Sequence, residues 1–198
     1  MGANTYLAHP TAFGYQANGT TGDIITQFIP PRPGERIAIR AFGFTAGSGV
    51  TSVYFMTETG NSTMSKACAS NATTTMALVA EPTSGNALAS SDFVAIELDN
   101  GTYQGVAIAT GGWSDFSIAE VLADTVSTGN NVYNFSAVTN LNSQKFNCTA
   151  STQTTKELDG GLFYADGKNK AMLVYHTNDT SANAFGSIDY LTVDYINV

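Results

Sequence analysis

The sequence predicts an all-β protein: an antiparallel β-sandwich, jelly-roll-like, with an extended N-terminal arm. Three observations predict it. Short runs of β-branched and aromatic residues recur along the chain at the close, regular spacing of sandwiches and barrels. Glycine-containing turn dipeptides separate several of these runs. Stretches with helical periodicity are almost absent.

Residues 1–34 read as the arm. They hold Pro10, Pro30, Pro31 and Pro33, four of the five prolines, with isolated aromatics at Tyr6, Phe13 and Tyr15. Pro30-Pro31-Arg32-Pro33-Gly34 cannot be a helix or a central strand, because proline has no N–H to donate. It reads as a hinge into a body spanning residues 35–198. That body opens with Arg36–Phe44, where Ile37, Ile39 and Ala41 fall on one face and Arg36, Ala38 and Arg40 on the other. Val50–Thr57, Met76–Ala80, Asp92–Leu98, Thr102–Ala109, Val132–Val138, Leu162–Ala165 and Ala171–His176 follow. In Asp92–Leu98 the side chains of Val94, Ile96 and Leu98 oppose Phe93 and Glu97. In Ile188–Val198, Ile188, Tyr190, Thr192, Asp194 and Ile196 alternate with Asp189, Leu191, Val193, Tyr195 and Asn197. About ten strands result.

Asn100-Gly101 is expected to close a hairpin with positive φ at both residues. Asp166-Gly167 is expected to act likewise, and Asp159-Gly160-Gly161 marks a further turn. Residues 61–75, rich in Ser, Thr, Ala and Asn, are expected to form a long surface loop. The best helix candidate is Ser117–Asp124, with a Ser117/Glu120 capping box and Ile118, Val121 and Leu122 on one face. It reads equally as the end of a strand starting at Asp115.

Charged residues are 12% of the chain, against about 25% in an average soluble domain. The exterior must therefore be built from Ser, Thr, Asn and Gly. A net charge of −8 and a pI near 4.4 oppose a nucleic-acid groove and docking on anionic lipid. The N-terminus lacks the basic and apolar regions of a secretory signal, and no apolar run approaches the roughly 18 residues of a membrane span. The expectation is a soluble chain made in a cytoplasm, with neither nucleic acid nor membrane as a partner. Cys68 and Cys148 are expected to be unpaired in that setting.

The usual sets of reactive groups are missing. His9 and His176 show no metal-ligand spacing. There is no Gly-x-Ser-x-Gly, no Cys-x-x-Cys and no phosphate loop, and Ser62 stands four residues from Lys66 where a Ser-x-x-Lys nucleophile needs three. Glu97 and Asp99 face one side of a strand, but a glycosidase needs a carboxylate pair in a cleft. Asp99-Asn100-Gly101-Thr102 is too short to ligate calcium alone. No catalytic, cofactor or metal residue is assigned, and no enzymatic activity is expected.

The arginines carry more information. Arg32, Arg36 and Arg40 are the only three, and they leave residues 1–40 at +1 and the rest at −9. On an extended chain their spacing of four puts them on one side. They read either as a solvated strand edge or as a stripe docking on an acidic protein surface, since guanidinium suits bidentate carboxylate contacts. Trp113, the single tryptophan, follows Gly111-Gly112. It could plug one end of the sandwich or contact a ligand or a second subunit.

Three segments resemble the auxiliary head, or capsid decoration, proteins of tailed phages: Arg36–Arg40 through Gly49–Thr57, Asp92–Thr102, and Gly186–Val193. Together they cover 41 of the 198 residues. The resemblance implies a structural virion protein on the capsid exterior. Its partner would be the major capsid protein, its state a homo-oligomer, typically a trimer, and its work the bridging of capsomers. A carbohydrate-binding β-sandwich of the receptor-binding or adhesin kind is the alternative, with Trp113, Tyr103 and Tyr133 as a sugar platform. A polysaccharide-acting enzyme using Glu97 is a third.

Overall fold

The computed structural model of the chain describes residues 24–46, 51–69, 75–82, 88–90, 92–118, 121–135, 143–157, 163–177 and 187–197. The fold is all-β: the described residues contain thirteen strands and no helix. They divide into two compact units. The first comprises Met1–Ile25, Ile29–Met56 and Asn142–Val198; the second comprises Thr26–Phe28 and Thr57–Leu141. Of the expected arm, residues 1–23 lie outside the described residues. Residues 24–29 form a strand, and 30–34 lead into the next.

The first unit is a sandwich. One sheet runs β1 (Ile24–Ile29), β12 (Met172–Thr177), β3 (Thr51–Thr57), β9 (Ser143–Cys148). The other is centred on β2 (Glu35–Thr45), with β13 (Ser187–Asn197) along one side and β10 (Gln153–Glu157) then β11 (Phe163–Tyr164) along the other. Both sheets feed one core: Ile29, Val53, Phe55, Cys148, Met172 and Val174 from the first, Ile37, Ile39, Phe42, Phe44, Leu191, Val193 and Tyr195 from the second.

The pattern in β2 corrects a sequence expectation. Thr192 lies opposite Ala41 and Val193 opposite Ile39, so Arg40 is the extra residue of a β-bulge. A bulge shifts the side-chain period by one. The core-facing positions change from odd (Ile37, Ile39) to even (Phe42, Phe44), and Ala41, expected beside Ile37 and Ile39, is only half-buried. A second irregularity makes Asp189 the extra residue in β13, so the expected alternation holds only beyond it, with Leu191, Val193 and Tyr195 inward.

β3 and β9 are antiparallel neighbours, with Met56 opposite Ser143. The chain thus leaves the first unit and returns to it on adjacent strands, and the whole segment Thr57–Leu141 stands where a hairpin loop would.

The second unit has one five-stranded sheet, in the order β4 (Gly60–Thr63), β8 (Asn131–Phe135), β5 (Phe93–Glu97), β6 (Tyr103–Thr110), β7 (Ser117–Ile118). Its even-numbered face, with Val94, Ile96, Val106, Ile108 and Val132, is covered by Met64, Cys68, Met76, Leu78, Leu88, Phe116 and Leu122. Among the described residues of this unit no second sheet covers it. Three isolated bridges tie the covering chain together: Met64 with Leu78, Cys68 with Val126, and Met76 with Phe116. Much of the expected surface loop is therefore structural. Residues 60–63 are β4, and Met64 and Cys68 are buried, because a few spaced apolar side chains suffice to seat otherwise polar chain.

The helix candidate resolves toward its strand reading. Ser117–Ile118 pairs with Thr110 and Ile108. Gln104 then captures the following chain, its Nε2 donating to Val121 O (2.9 Å) and its Oε1 accepting from Ala123 N (2.8 Å). Residues 119–120 lie outside the described residues.

The Asn100-Gly101 hairpin joins β5 to β6 as expected, but by different geometry. Gly101 has φ +80°, whereas Asn100 has no positive φ. Gly101 N donates to Leu98 O (2.9 Å) and Leu98 N to Thr102 O (2.8 Å). This is a three-residue loop closed by a left-handed glycine. Asp166-Gly167 does not close a hairpin: β11 and β12 belong to different sheets, so the turn crosses from one to the other. The Asp159-Gly160-Gly161 turn lies outside the described residues.

Candidate functional site

The three arginines are held within the first unit. Arg40, at the bulge, pairs through Nε with Asp194 Oδ2; the Asp194 side chain is 6% exposed and that of Arg40 is 32%. Asp194 Oδ1 is buried without a hydrogen-bond donor, which makes the arginine its compensation. Arg36 Nε donates to Ala165 O (2.6 Å), and its Cζ lies 5.2 Å from the centroid of the Tyr164 ring. Arg32 is the most exposed, at 42%. Its Cζ stands 3.8 Å over the Tyr195 ring, and its Nη1 is 4.0 Å from Glu35 Oε2. Arg36 and Arg40 share β2, while Arg32 precedes it. Each arginine thus has a partner inside its own unit.

Trp113 is half-buried and packs against the core of the second unit, on the even face of the sheet. Its carbonyl accepts from Leu78 N (2.8 Å). Gly111 must be glycine: a Cβ there would run into the Leu88 carbonyl oxygen. Gly112, at φ +131°, donates to the same oxygen (2.9 Å). The Gly-Gly pair thus brings the chain close enough to residues 88–90 for the indole to reach the core.

Tyr103 and Tyr133 come together on the opposite, odd face, their centroids 5.8 Å apart. Phe28 stacks on Tyr103 at 4.3 Å and 25°, lies 5.1 Å from Tyr133, and meets Phe135 edge-on at 6.5 Å. The register leaves small residues, Ala95 opposite Gly105, between the two tyrosines. Carboxylates flank the rings. Glu97 Oε2 accepts from Asn131 N (3.0 Å) and Nδ2 (2.6 Å), and the buried Glu58 accepts from Asn61 Nδ2 (2.7 Å). Burial, then the neighbouring Tyr133 and Glu97, push the Tyr103 phenol up to about 12. Burial and Glu58 raise Tyr133 as well.

Glu97 ends β5 and Asp99 stands in the hairpin loop, and the two carboxylates serve separate networks. Asp99 accepts from Thr125 Oγ1 (2.7 Å), Ser127 N (2.8 Å), Ser127 Oγ (3.1 Å) and Asn130 Nδ2 (3.0 Å). The Thr125 hydroxyl, against the counter-effect of desolvation and with help from Ser127 and Asn130, holds its carboxyl below the usual range. A carboxylate so supplied with donors staples the hairpin tip to residues 125–130.

Cys68 and Cys148 are buried and not disulfide-bonded, and burial pushes the Cys148 thiol up. Among the described residues no three His, Cys, Asp or Glu side chains gather as a metal site would require. His9 lies outside the described residues, as does the side chain of His176. Comparison with protein families, with curated proteins and with solved structures finds no match for this chain.

The sequence reading missed Phe28, Asn131, Asn169 and Tyr195 as contact residues. Phe28 next to Ile29 carried a detectable apolar signal, but the prolines that follow hid it. Nothing local marked Asn169, whose φ of +58° is a property of the folded turn.

Proposed function

We propose that the chain is a structural virion protein of the capsid-decoration kind, binding the capsid exterior as a homotrimer and bridging copies of the major capsid protein. The observation that supports this reading is an all-β frame with a polar, sparsely charged exterior. The strand β10, Gln-Thr-Thr-Lys-Glu, is exposed at four of its five residues, and the arginines of its unit are each engaged by a partner within it. Such a surface suits broad, close contact in a crowded shell, where dense single-sign charge would repel neighbouring copies.

The test is co-sedimentation of the purified chain with tailed-phage capsids, intact and stripped of their outer proteins. Saturable binding to stripped capsids, with a trimeric mass by light scattering, is the expected result. Absence of binding to either form overturns the proposal.

One observation favours a second reading, a carbohydrate-binding domain. Tyr103 and Tyr133 lie beside the Glu97–Asn131 pair, the combination of ring face and planar hydrogen-bonding groups that sugars select. Against it, Phe28 already stacks on Tyr103, and Trp113 packs on the other face of the sheet. Glycan-array binding lost in Tyr133→Ala would favour this reading over the first.

A further inference from the structure

Two chain crossings between the sheets of the first unit are bound to each other. The first runs from β1 to β2 through Pro30–Gly34, and the second from β11 to β12 through Ala165–Ala171. Prolines 30, 31 and 33 have no N–H, so the first crossing has few backbone donors of its own to fasten it. Side chains do the work instead. Tyr195 Oη donates to Pro30 O (2.9 Å), and Arg32 Cζ stands over the ring of the same tyrosine, 3.8 Å from its centroid. Glu35 N donates to Arg32 O (3.1 Å), closing a turn at Gly34, whose φ is +79°. From the other crossing, Asn169 Oδ1 accepts from Gly34 N (2.6 Å) while Asn169 N donates to Glu35 O (3.0 Å). Arg36 completes the link, donating to Ala165 O and lying over Tyr164, and Ala165 N donates to Ile37 O (2.9 Å).

We infer that Arg32, Arg36, Asn169 and Tyr195 form a clasp that locks this end of the sandwich and sets where the chain before Pro30 joins it. The choice of residues follows from the geometry. A guanidinium can stack by its face and donate by its edge at once, which an ammonium cannot. Asparagine is among the few non-glycine residues that tolerate the left-handed conformation, and its side chain supplies the acceptor for Gly34. The inference stands apart from the virion proposal: it assigns the arginine cluster a task inside the chain, whatever the chain binds.

Two variants test it by amide hydrogen exchange. Arg32→Lys with Arg36→Lys keeps the charge and removes the planar stacks. Asn169→Gly keeps the backbone conformation and removes the acceptor without touching either arginine. With the clasp, the amides of Gly34, Glu35, Ala165 and Asn169 exchange about tenfold faster or more in both variants. The amides of Glu35 and Ala165 accelerate in Asn169→Gly although their own acceptors remain. Those of Phe42 and Phe44, further along β2, stay unchanged. Equal acceleration at Phe42 and Phe44 would make these residues ordinary contributors to global stability and overturn the clasp. Unchanged exchange at all four clasp amides in Asn169→Gly would overturn it too.

Discussion

The two units solve the same burial problem differently. In the first, a sheet faces a sheet, and the core is filled by Phe42, Phe44, Phe55 and Tyr195 from strands of both. Phe42 sits 5.3 Å from Phe55 and 5.1 Å from Phe146, in the tilted and edge-on arrangements aromatic rings prefer. In the second, one sheet is covered by irregular chain carrying Met64, Met76 and Cys68, side chains that adapt to uneven gaps. There the backbone groups are satisfied piecemeal: Cys68 and Val126 exchange two hydrogen bonds (2.8 and 2.9 Å), as do Met76 and Phe116 (2.6 and 2.8 Å). A sheet can thus be sealed without a partner sheet, provided the covering chain finds acceptors one bridge at a time.

Core truncation gives the largest expected effect. Phe42→Ala and Phe116→Ala should each cost roughly 3–5 kcal/mol in urea denaturation. Phe116→Ala should fall at the lower end, since irregular chain can collapse into the space. An equal or greater loss for Phe116→Ala would break the comparison. Next is Arg40→Ala, which strands the buried Asp194 carboxylate. The expected cost is about 2–4 kcal/mol, below that of a fully buried pair because the arginine is a third exposed. Charge reversal at Arg36 and Arg40 should unsettle the fold for the same reason, so the stability of such a variant should be measured before its binding.

Gly111→Ala should destabilise by about 1–3 kcal/mol through the clash with the Leu88 carbonyl, with Trp113 fluorescence shifting as the turn moves. The smallest effects are electrostatic and confined to the second unit. Asp99 has a folded pKa below its unfolded one, so its contribution is present above the unfolded value and lost as pH falls through the folded one. Asp99→Asn should flatten that acid limb of the stability profile. Tyr103 titrates near 12, so its contribution is complete below the ordinary tyrosine pKa and disappears as pH rises through about 12. Ultraviolet titration should lose a late-ionising tyrosine in Tyr103→Phe.

Much of this contrast could be read in advance at the level of single strands. Alternation placed β5, β6 and the end of β13 within a residue or two, and Asn100-Gly101 marked its hairpin. Even the bulge left a trace, since Ile37 and Ile39 are odd and Phe42 and Phe44 even. β9 and β10 were missed because Ser143–Cys148 and Gln153–Glu157 are polar along most of their length, so their pairing with β3 and β2 left no apolar period to detect. The arginines were placed on one side by spacing alone, and spacing carries no information about Asp194, Tyr195 or Ala165, which lie more than 120 residues away.

The sequence by itself determined that this chain is built of β-strands and that its surface is polar and short of charge. These are local matters, settled by a period of two and by the turn preferences of Gly, Asn and Pro. Only the tertiary structure decided that β3 would pair with β9 across an entire inserted unit, and that three arginines would meet a carboxylate, a carbonyl and an aromatic ring of their own unit. The reason is physical: a strand's own residues choose its faces, but its partner is whichever edge the rest of the chain brings alongside.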